Sequence, residues 1–311
     1  MNRPLTTDPL IPTLFQKLDL KAKSLLVTVW GDGVAPHGGT VWLGSLINLV
    51  AALGLNERVV RTAVFRLQKD GILSSEQIGR RSYYSLTQSG RHRFAEATHR
   101  IYASGDIPWN GNWLLLFVAR RLLSDADRRR LETALGWLGF GDLGAGVHAH
   151  PTATKDSVET LLNDLDLIGK VTILSGASPA DTPFDAPDIL VTKGWNLKSL
   201  EADYNRFIDH FSKFAAPETD AATFDEKKCF IIRSLLVHDY RRVLLRDPML
   251  PAELLPVGWN GNRARALFQD IYRRVWEGAE QHLMTVLEDE TGRLPPAPEE
   301  FYRRFGGLKK S

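Results

Sequence analysis

The sequence predicts an α+β protein of three domains, and three observations lead to this expectation. A basic amphipathic helix runs directly into a basic two-stranded segment between residues 56 and 86. Strand and helix patterns alternate between residues 113 and 175, and helical spacing dominates from residue 197 onwards. We therefore expect an N-terminal winged helix-turn-helix domain at 20–104, a central ferredoxin-like α+β domain at 112–182 and a C-terminal mainly helical domain at 192–290.

Length and composition set the outer limits of the interpretation. The 311 residues are too many for one ordinary compact unit, and a hydrophobic content of 43% is that of a globular protein. The single cysteine, Cys229, excludes an intramolecular disulfide and a cysteine-rich zinc module. No apolar run reaches the length of a signal peptide or a membrane span. We expect a cytoplasmic protein in which Cys229 is a buried thiol.

The helix from about Asn56 to Asp70 carries the strongest signal. Asn56 is placed to cap it, and Glu57 suits the positive end of the helix dipole. One face is apolar with a period near 3.6 and is predicted to be buried; it consists of Val59, Val60, Ala63, Val64 and Leu67. The other residues suit base edges and phosphates in a major groove. The candidate DNA contacts of this helix are Arg58, Arg61, Thr62, Phe65, Arg66 and Lys69.

A basic hairpin follows this helix. We expect one strand over Ile72–Ile78, a turn at Gly79-Arg80 and a return strand over Ser82–Leu86. Arg80, Arg81 and Ser82 are the candidate phosphate contacts at its exposed tip. Residues 54–100 hold nine Lys or Arg against four acids, a local charge of +5 in a chain of net charge +2. Such concentration is typical of nucleic-acid binding, although a solvated helix or a protein-docking module shows the same pattern.

The remaining elements follow from apolar spacing and from Gly and Pro positions. Helices at Ala22–Trp30, Trp42–Leu53 and Gln88–Tyr102 would support the basic helix. The central domain is predicted as βαβαβ, with strands at Trp113–Val118, Val147–His150 and Lys170–Ser175 and helices at Asp125–Leu138 and Ser157–Leu167. Further helices are expected after Asn196, after a capping box at Thr223–Glu226 and over Asn262–Leu287, and the tail from Pro295 is expected to be weakly ordered.

Several motifs suggest chemistry without supporting it. Residues Gly139–Gly144 spell G-x-G-x-x-G, but a helix precedes this run and a strand follows it, the reverse of a dinucleotide site. His148 and His150 would share a strand face, yet no third ligand with suitable spacing stands nearby, so structural histidines are expected. We predict no catalytic residue and no metal site.

Several blocks in order resemble the PaaX family, repressors of the phenylacetic-acid degradation operon. These blocks are Leu43–Leu46, Gly54–Thr62, Arg80–Tyr84, Trp137–Gly141 and Tyr240–Pro251. The resemblance runs from about Lys21 to Leu287. It implies a homodimer that binds double-stranded operator DNA, has no resident cofactor, and is released by the inducer phenylacetyl-CoA.

The implied inducer carries phosphates, which arginines would bind, and an aromatic acyl group, which apolar side chains would contact. We expect the pocket that combines both residue types to lie between domains. The ligand candidates are Arg120, Arg121, Trp137, Phe140, Trp195, Arg241, Arg242 and Trp259. The tryptophans and Phe140 are more often core residues, and Arg241 and Arg242 are more often members of surface or interdomain ion pairs. A different acyl-CoA would leave every motif unchanged. A metal-dependent nuclease, suggested by the similarity of the family's middle domain to CRISPR-associated nucleases, is disfavoured because Val118–Arg121 is basic where a carboxylate is required.

Overall fold

The computed structural model describes residues 10–103, 108–177, 186–216, 219 and 224–308 of the chain. The described residues form α-helices and small antiparallel sheets. They group into two compact units. The first unit comprises Met1–Ser104, Asn205–Leu244 and Gly261–Ser311, and the second comprises Gly105–Tyr204 and Leu245–Asn260. The predicted first and third segments thus contribute to one unit, and the predicted boundaries at Ser104 and Thr182 lie outside the described residues.

The amino-terminal part of the first unit has five helices and a three-stranded sheet. The helices are α1 (Leu10–Lys17), α2 (Ala22–Val29), α3 (Leu43–Ala51), α4 (Glu57–Lys69) and α5 (Gln88–Tyr102). The strands β1 (Thr40–Trp42), β2 (Leu73–Ile78) and β3 (Arg81–Leu86) pair antiparallel in the order β1-β3-β2. The predicted supporting helices and the hairpin are confirmed. The segment after α2 continues as a π-helical turn over Trp30–Val34, so Trp30 and the glycines that follow extend the helix path.

Helix α4 forms for the reasons that its sequence indicates. The Asn56 side chain accepts a hydrogen bond from the Val59 backbone N–H at 3.0 Å, which confirms the predicted cap. The apolar stripe is buried at Val60, Ala63, Val64 and Leu67. Val59 was predicted to be buried and is 37% exposed, because it lies at the edge of the stripe beside the capped end.

The carboxy-terminal part of the first unit is mainly helical. It contains α10 (Glu226–Leu244), α11 (Asn260–Val286), the short strands β8 (Glu288–Asp289) and β9 (Gly292–Arg293), and α12 (Glu299–Tyr302). Asp225 caps α10 by accepting from the Lys228 N–H at 2.7 Å, whereas Thr223 of the predicted capping box lies outside the described residues. The expectation of a weakly ordered tail is wrong, because Phe301, Phe305 and Leu308 are buried and pack into this unit.

The second unit contains a four-stranded antiparallel sheet with helices packed against it. Its elements are β4 (Asn112–Val118), α6 (Asp125–Trp137), β5 (Gly141–Gly144), β6 (Val147–His150), α7 (Lys155–Asp164), β7 (Val171–Ala177) and α8 (Ala186–Gly194). The strand order is β5-β6-β4-β7. Leu114 and Leu116 of β4 pack with Leu131 of α6 and Val158 of α7 in one core cluster. A further helix, α9 (Leu197–Phe211), has residues in both units.

The central region has one strand more than the sequence predicts, β5, so its order is βαββαβ instead of βαβαβ. Strand β5 is formed by the last four residues of the G-x-G-x-x-G run and pairs with β6 through Gly141↔Ala149 and Asp142↔His148. Glycine has little intrinsic strand preference, so only the pairing with β6 specifies this strand. The run lies within a β-hairpin, and no helix follows it as a dinucleotide cradle requires.

Candidate nucleic-acid interface

The outer face of α4 is open to solvent over its whole length. Phe65 is 64% exposed, although phenylalanine usually packs inside a protein. The Thr62 hydroxyl donates to the Arg58 carbonyl oxygen at 2.8 Å and so is satisfied within the helix. All the helix residues singled out in the sequence are exposed, namely Arg58, Arg61, Thr62, Phe65, Arg66 and Lys69. They form a continuous basic surface with an aromatic group in it, which we call the α4 surface.

The β2–β3 hairpin adds charge beside α4. Ile78 pairs with Arg81, so the loop between the strands contains only Gly79 and Arg80, with Gly79 at φ +61°. Arg80 and Arg81 are exposed and Ser82 is half-buried. Gln68 Nε2 of α4 donates to Ser75 Oγ of β2 at 3.0 Å, which ties the hairpin to the helix.

The two hairpin arginines are not equivalent. Arg81 Nη1 lies 2.7 Å from Glu288 Oε2, and its guanidinium lies 4.1 Å from the centroid of the Trp42 ring. Hydrogen bonds with Tyr83 and with Glu288 raise the pKa of Arg81. Within the part of the chain that the structure describes, Arg80 has no ion-pair partner. Arg80 is therefore the more available of the two for a phosphate.

Helix α4 is supported by a buried ionic cluster, which we call the Asp32 cluster. Asp32 Oδ1 accepts from Tyr102 Oη at 2.6 Å, from Tyr272 Oη at 3.0 Å and from Arg304 Nη1 at 2.8 Å. Asp32 Oδ2 lies 2.9 Å from Arg233 Nε. Asp32 follows α2, the helix that packs against α4. Side chains from α5, α10, α11 and the tail bind Asp32 and so stabilise the position of α2 behind the basic helix.

The cluster extends through Glu280 to His37. Arg233 Nη1 donates to Glu280 Oε1 at 2.5 Å, and Glu280 Oε2 lies 2.9 Å from His37 Nε2. Burial by itself raises the pKa of Glu280, but the charge of Arg233 and the hydrogen bond from His37 lower it to about 2. His37 Nδ1 lies 2.7 Å from the Pro295 carbonyl oxygen. The cluster joins the amino-terminal and carboxy-terminal parts of the first unit through these buried hydrogen bonds and ion pairs.

The ligand candidates of the first unit have protein partners. Arg241 donates to Thr28 Oγ1 at 2.7 Å and to the Ser24 carbonyl oxygen at 2.7 Å. Burial, with the nearby charge of Arg242, lowers the pKa of Arg241 to about 10. Arg242 is exposed and donates to the Asp19 carbonyl oxygen at 3.0 Å. Both arginines join α10 to the amino-terminal helices, and their effector role stays a prediction.

The ligand candidates of the second unit occupy different environments. Phe140 belongs to the core beneath the sheet, and Trp259 is buried with its ring 5.9 Å from that of Tyr204. Trp137 is 66% exposed and Arg121 is exposed, while the side chain of Arg120 lies outside the described residues. Trp195 is half-buried and lines a cleft of about 890 Å³.

The predicted structural roles of the histidine pair and the cysteine can also be checked. His150 Nδ1 accepts from the backbone N–H groups of Thr152 and Ala153 at 3.0 and 2.7 Å, so it fixes the turn after β6. Burial lowers the pKa of His148. Cys229 is buried, and burial raises its pKa to about 11, so the thiol is not ionised near neutral pH.

Two features are absent from the described residues. No group of three or more His, Cys, Asp or Glu side chains in them is arranged to hold a metal ion. No helix in the same ranges is long and apolar enough to cross a bilayer.

Comparison with known proteins identifies the family. Residues 21–90 match the model described as PaaX-like protein, residues 106–186 match the PaaX protein central Cas2-like domain, and residues 195–285 match the PaaX-like protein C-terminal domain. The chain belongs to the PaaX family. It is 36% identical over 305 residues to the transcriptional repressor PaaX of Escherichia coli (strain K12), with 97% of this chain and 95% of that protein covered.

A solved structure of similar fold comes from a second organism. The uncharacterized protein Rv0674 from Mycobacterium tuberculosis aligns with a TM-score of 0.56 and 26% identity, over 84% of this chain and 98% of that one. The PaaX models end at residue 285, so Glu288 and Arg304, which hold Arg81 and Asp32, lie beyond them. Sequence reasoning missed both residues. The aromatic residues on both sides of Arg303 and Arg304 in Phe301–Phe305 were a signal for Arg304, and no comparable pattern surrounds Glu288.

Proposed function

We propose that this PaaX-family chain is a DNA-binding transcriptional repressor of genes for phenylacetate catabolism, released from its operator by an aryl-acyl-CoA such as phenylacetyl-CoA. The relationship to a transcriptional repressor supports regulation rather than catalysis. The amino-terminal helices and the β2–β3 hairpin are proposed to form a winged helix-turn-helix, with α4 as the recognition helix and the Gly79–Arg80 loop as the wing tip.

The α4 surface is the observation that carries the proposal. Phe65 is 64% exposed among arginines, and the methyl group of a thymine is an apolar partner for its ring. Arginine forks match the O6 and N7 atoms of guanine, and Lys69 and Arg80 suit phosphate oxygens. The Asp32 cluster supports the proposal because it fixes α2 against which α4 packs, and a groove-reading helix must be held rigidly.

Two further parts of the proposal concern assembly and the central region. The chain is proposed to act as a homodimer that places two α4 helices in successive major grooves of a duplex. The βαββαβ order and antiparallel sheet of the second unit favour a ferredoxin-like assignment for its central part. A ligand shifts such a repressor only if it binds the DNA-incompetent arrangement more tightly than the competent one.

Selection of binding sites followed by titration tests the proposal. DNA fragments recovered from a random pool by the purified chain should yield a palindromic or near-palindromic consensus, and binding to it should fall steeply with salt. Phenylacetyl-CoA should release the selected fragment, whereas coenzyme A and phenylacetate separately should not. Recovery of no consensus would contradict the repressor assignment. Release by another acyl-CoA in a panel, and not by phenylacetyl-CoA, would retain the repressor and change its effector.

A further inference from the structure

None of the residues that line the cleft beside Trp195 belongs to the α4 surface or to the β2–β3 hairpin. The cleft has a volume of about 890 Å³ and lies in the second unit where α8 ends and α9 begins, against the segment around Leu254. Sites for small molecules and cofactors have volumes of roughly 300 to 1,000 Å³. The cleft is therefore large enough for a ligand of cofactor size.

One part of the cleft is apolar and rigid. Trp195 lines it, and its indole N–H donates to the Gly139 carbonyl oxygen at 2.9 Å. The centroid of the Trp195 ring lies 6.1 Å from that of the buried Trp113. The indole hydrogen bond and this ring contact together fix the position of the Trp195 side chain. Val191 and Leu254, from the same apolar cluster, also line the cleft. A fixed indole beside aliphatic side chains suits a flat apolar group.

The other part of the cleft is positively charged. Lys193 and Lys198 line it and are exposed, and neither has an ion-pair partner in the described ranges of the chain. Asp142 is the acidic residue in the lining, and its carboxylate accepts from the Gly144 backbone N–H at 2.8 Å. The first turn of α9, capped by Asn196, also contributes to the lining, and the positive end of the helix dipole favours an anion there.

We infer that this cleft is the effector site, and that it takes a ligand joining an aromatic acyl group to phosphates. The acyl group packs against Trp195 and its aliphatic neighbours, while Lys193 and Lys198 bind the phosphates. This inference rests on the proposed function, because an aryl-acyl-CoA combines these two chemistries in one molecule. It assigns the phosphate contacts to two lysines instead of Arg241, whose guanidinium is occupied by Ser24 and Thr28.

Calorimetric titration of the full chain with phenylacetyl-CoA, in the absence of DNA, tests the inference. The double variant Lys193→Glu with Lys198→Glu should bind at least about tenfold more weakly, because two attractive charges become repulsive. The matched control reverses Lys155 and Lys170, which belong to the same unit but do not line the cleft. Its affinity should stay within about twofold of the wild type. Equal affinity of the two double variants would overturn the inference.

A second measurement uses the unaltered chain and avoids any effect of substitution on folding. Bound phenylacetyl-CoA should protect Lys193 and Lys198 from acetylation by an amine-reactive reagent, read by mass spectrometry, and should leave Lys155 unprotected. Protection elsewhere with none in the cleft would overturn the inference and leave the proposed function intact. Failure of the wild-type chain to bind phenylacetyl-CoA would overturn both the inference and the effector part of the proposed function, while DNA binding would still test the repressor part.

Discussion

Asp32 and Arg304 form a buried ion pair of 2.8 Å, although 272 residues separate them in the sequence. The Arg304 guanidinium lies 3.8 Å from the centroid of the Tyr102 ring and 4.2 Å from that of Phe301, so it is enclosed on both faces. Asp32 lies in the π-helical turn that continues α2, and α2 packs against α4. The support of the basic helix therefore includes a residue from the far end of the chain.

Loss of Arg304 should destabilise the first unit strongly. Arg304→Ala removes one partner of a buried carboxylate, and breaking such a pair costs about 3 to 5 kcal/mol. Urea unfolding followed by circular dichroism measures the loss. The control Arg303→Ala removes a side chain that is 71% exposed and pairs with Glu299 at the surface, so it should change stability by less than about 1 kcal/mol. Similar unfolding midpoints for the two variants would show that the cluster does not stabilise the unit.

The helix and the hairpin tip should differ in how they affect DNA binding. Arg61→Ala should remove operator preference at a cost of about 1 to 3 kcal/mol, because a base-reading fork is lost. Arg80→Ala should weaken binding to all sequences alike and reduce the slope of log affinity against log salt by about one. Gel-shift titrations on the selected operator and on a scrambled duplex measure both effects. An unchanged operator affinity for Arg61→Ala would show that α4 does not read the groove.

Glu288 should restrain Arg81 and weaken binding to DNA. Glu288→Gln removes the carboxylate that pairs with Arg81 at 2.7 Å, so Arg81 becomes available to a phosphate. Affinity for any duplex should rise at low salt, and the salt slope should steepen by about one. Glu290→Gln removes a nearby exposed acid that has no ion-pair partner in the described ranges, and it serves as the control for the change in net charge. Equal effects of the two substitutions on DNA affinity and on the salt slope would show that Glu288 does not restrain Arg81 specifically.

The free energy of unfolding should decrease as the pH is lowered from about 6.5 towards 3, because His238 is neutral in the folded chain. Burial, together with the charges of Arg241 and Arg242, lowers the pKa of His238 to about 3, so the folded chain holds this imidazole neutral. The unfolded pKa is about 6.5, so its contribution is complete above pH 6.5 and is lost at about 1 kcal/mol per pH unit as the pH falls from there towards 3.

Denaturation of His238→Gln against the wild type at several pH values measures this contribution. The variant should lose less stability between pH 7.5 and 5, whatever its stability at neutral pH. His92→Gln, a change at an exposed position, should keep the wild-type profile. Glu280 does not disturb this comparison, because its lowered pKa places its loss of stability below about pH 4.5. Parallel profiles for His238→Gln and the wild type would contradict the assignment.

The sequence predicted the elements whose signals are local. Helix α4 could be predicted because its cap at Asn56, its apolar period and its polar face all lie within fourteen neighbouring residues. The exposure of Val59 could not be predicted in this way, because the width of the buried stripe depends on the elements that pack against the helix. Strand β5 was missed because its glycines carry no strand preference and its pairing with β6 is a tertiary property.

The order of the tail and the residues that line the cleft could be found only from the folded structure. Pro295–Pro298 suggested weak order, but Phe301 and Phe305 are buried by helices that are distant in the sequence. Sequence reasoning sought arginines for an anionic ligand, and it overlooked Lys193 and Lys198 because isolated lysines at a helix junction are ordinary surface residues. Among the ligand candidates whose side chains the structure describes, only Trp195 lies in the cleft, since convergence of side chains from separate segments leaves no pattern in the sequence.

The position of Arg304 has a consequence for synthesis of the chain. On the ribosome, Asp32 emerges long before the guanidinium that completes its surroundings, and closing so long a loop slows the step that assembles native contacts. Until that step, Tyr102 is the partner of the Asp32 carboxylate from the amino-terminal part, and the guanidinium groups of Arg233 and Arg304 are missing. Premature termination near the 3′ end of the coding region would thus damage the amino-terminal helices as well as the tail.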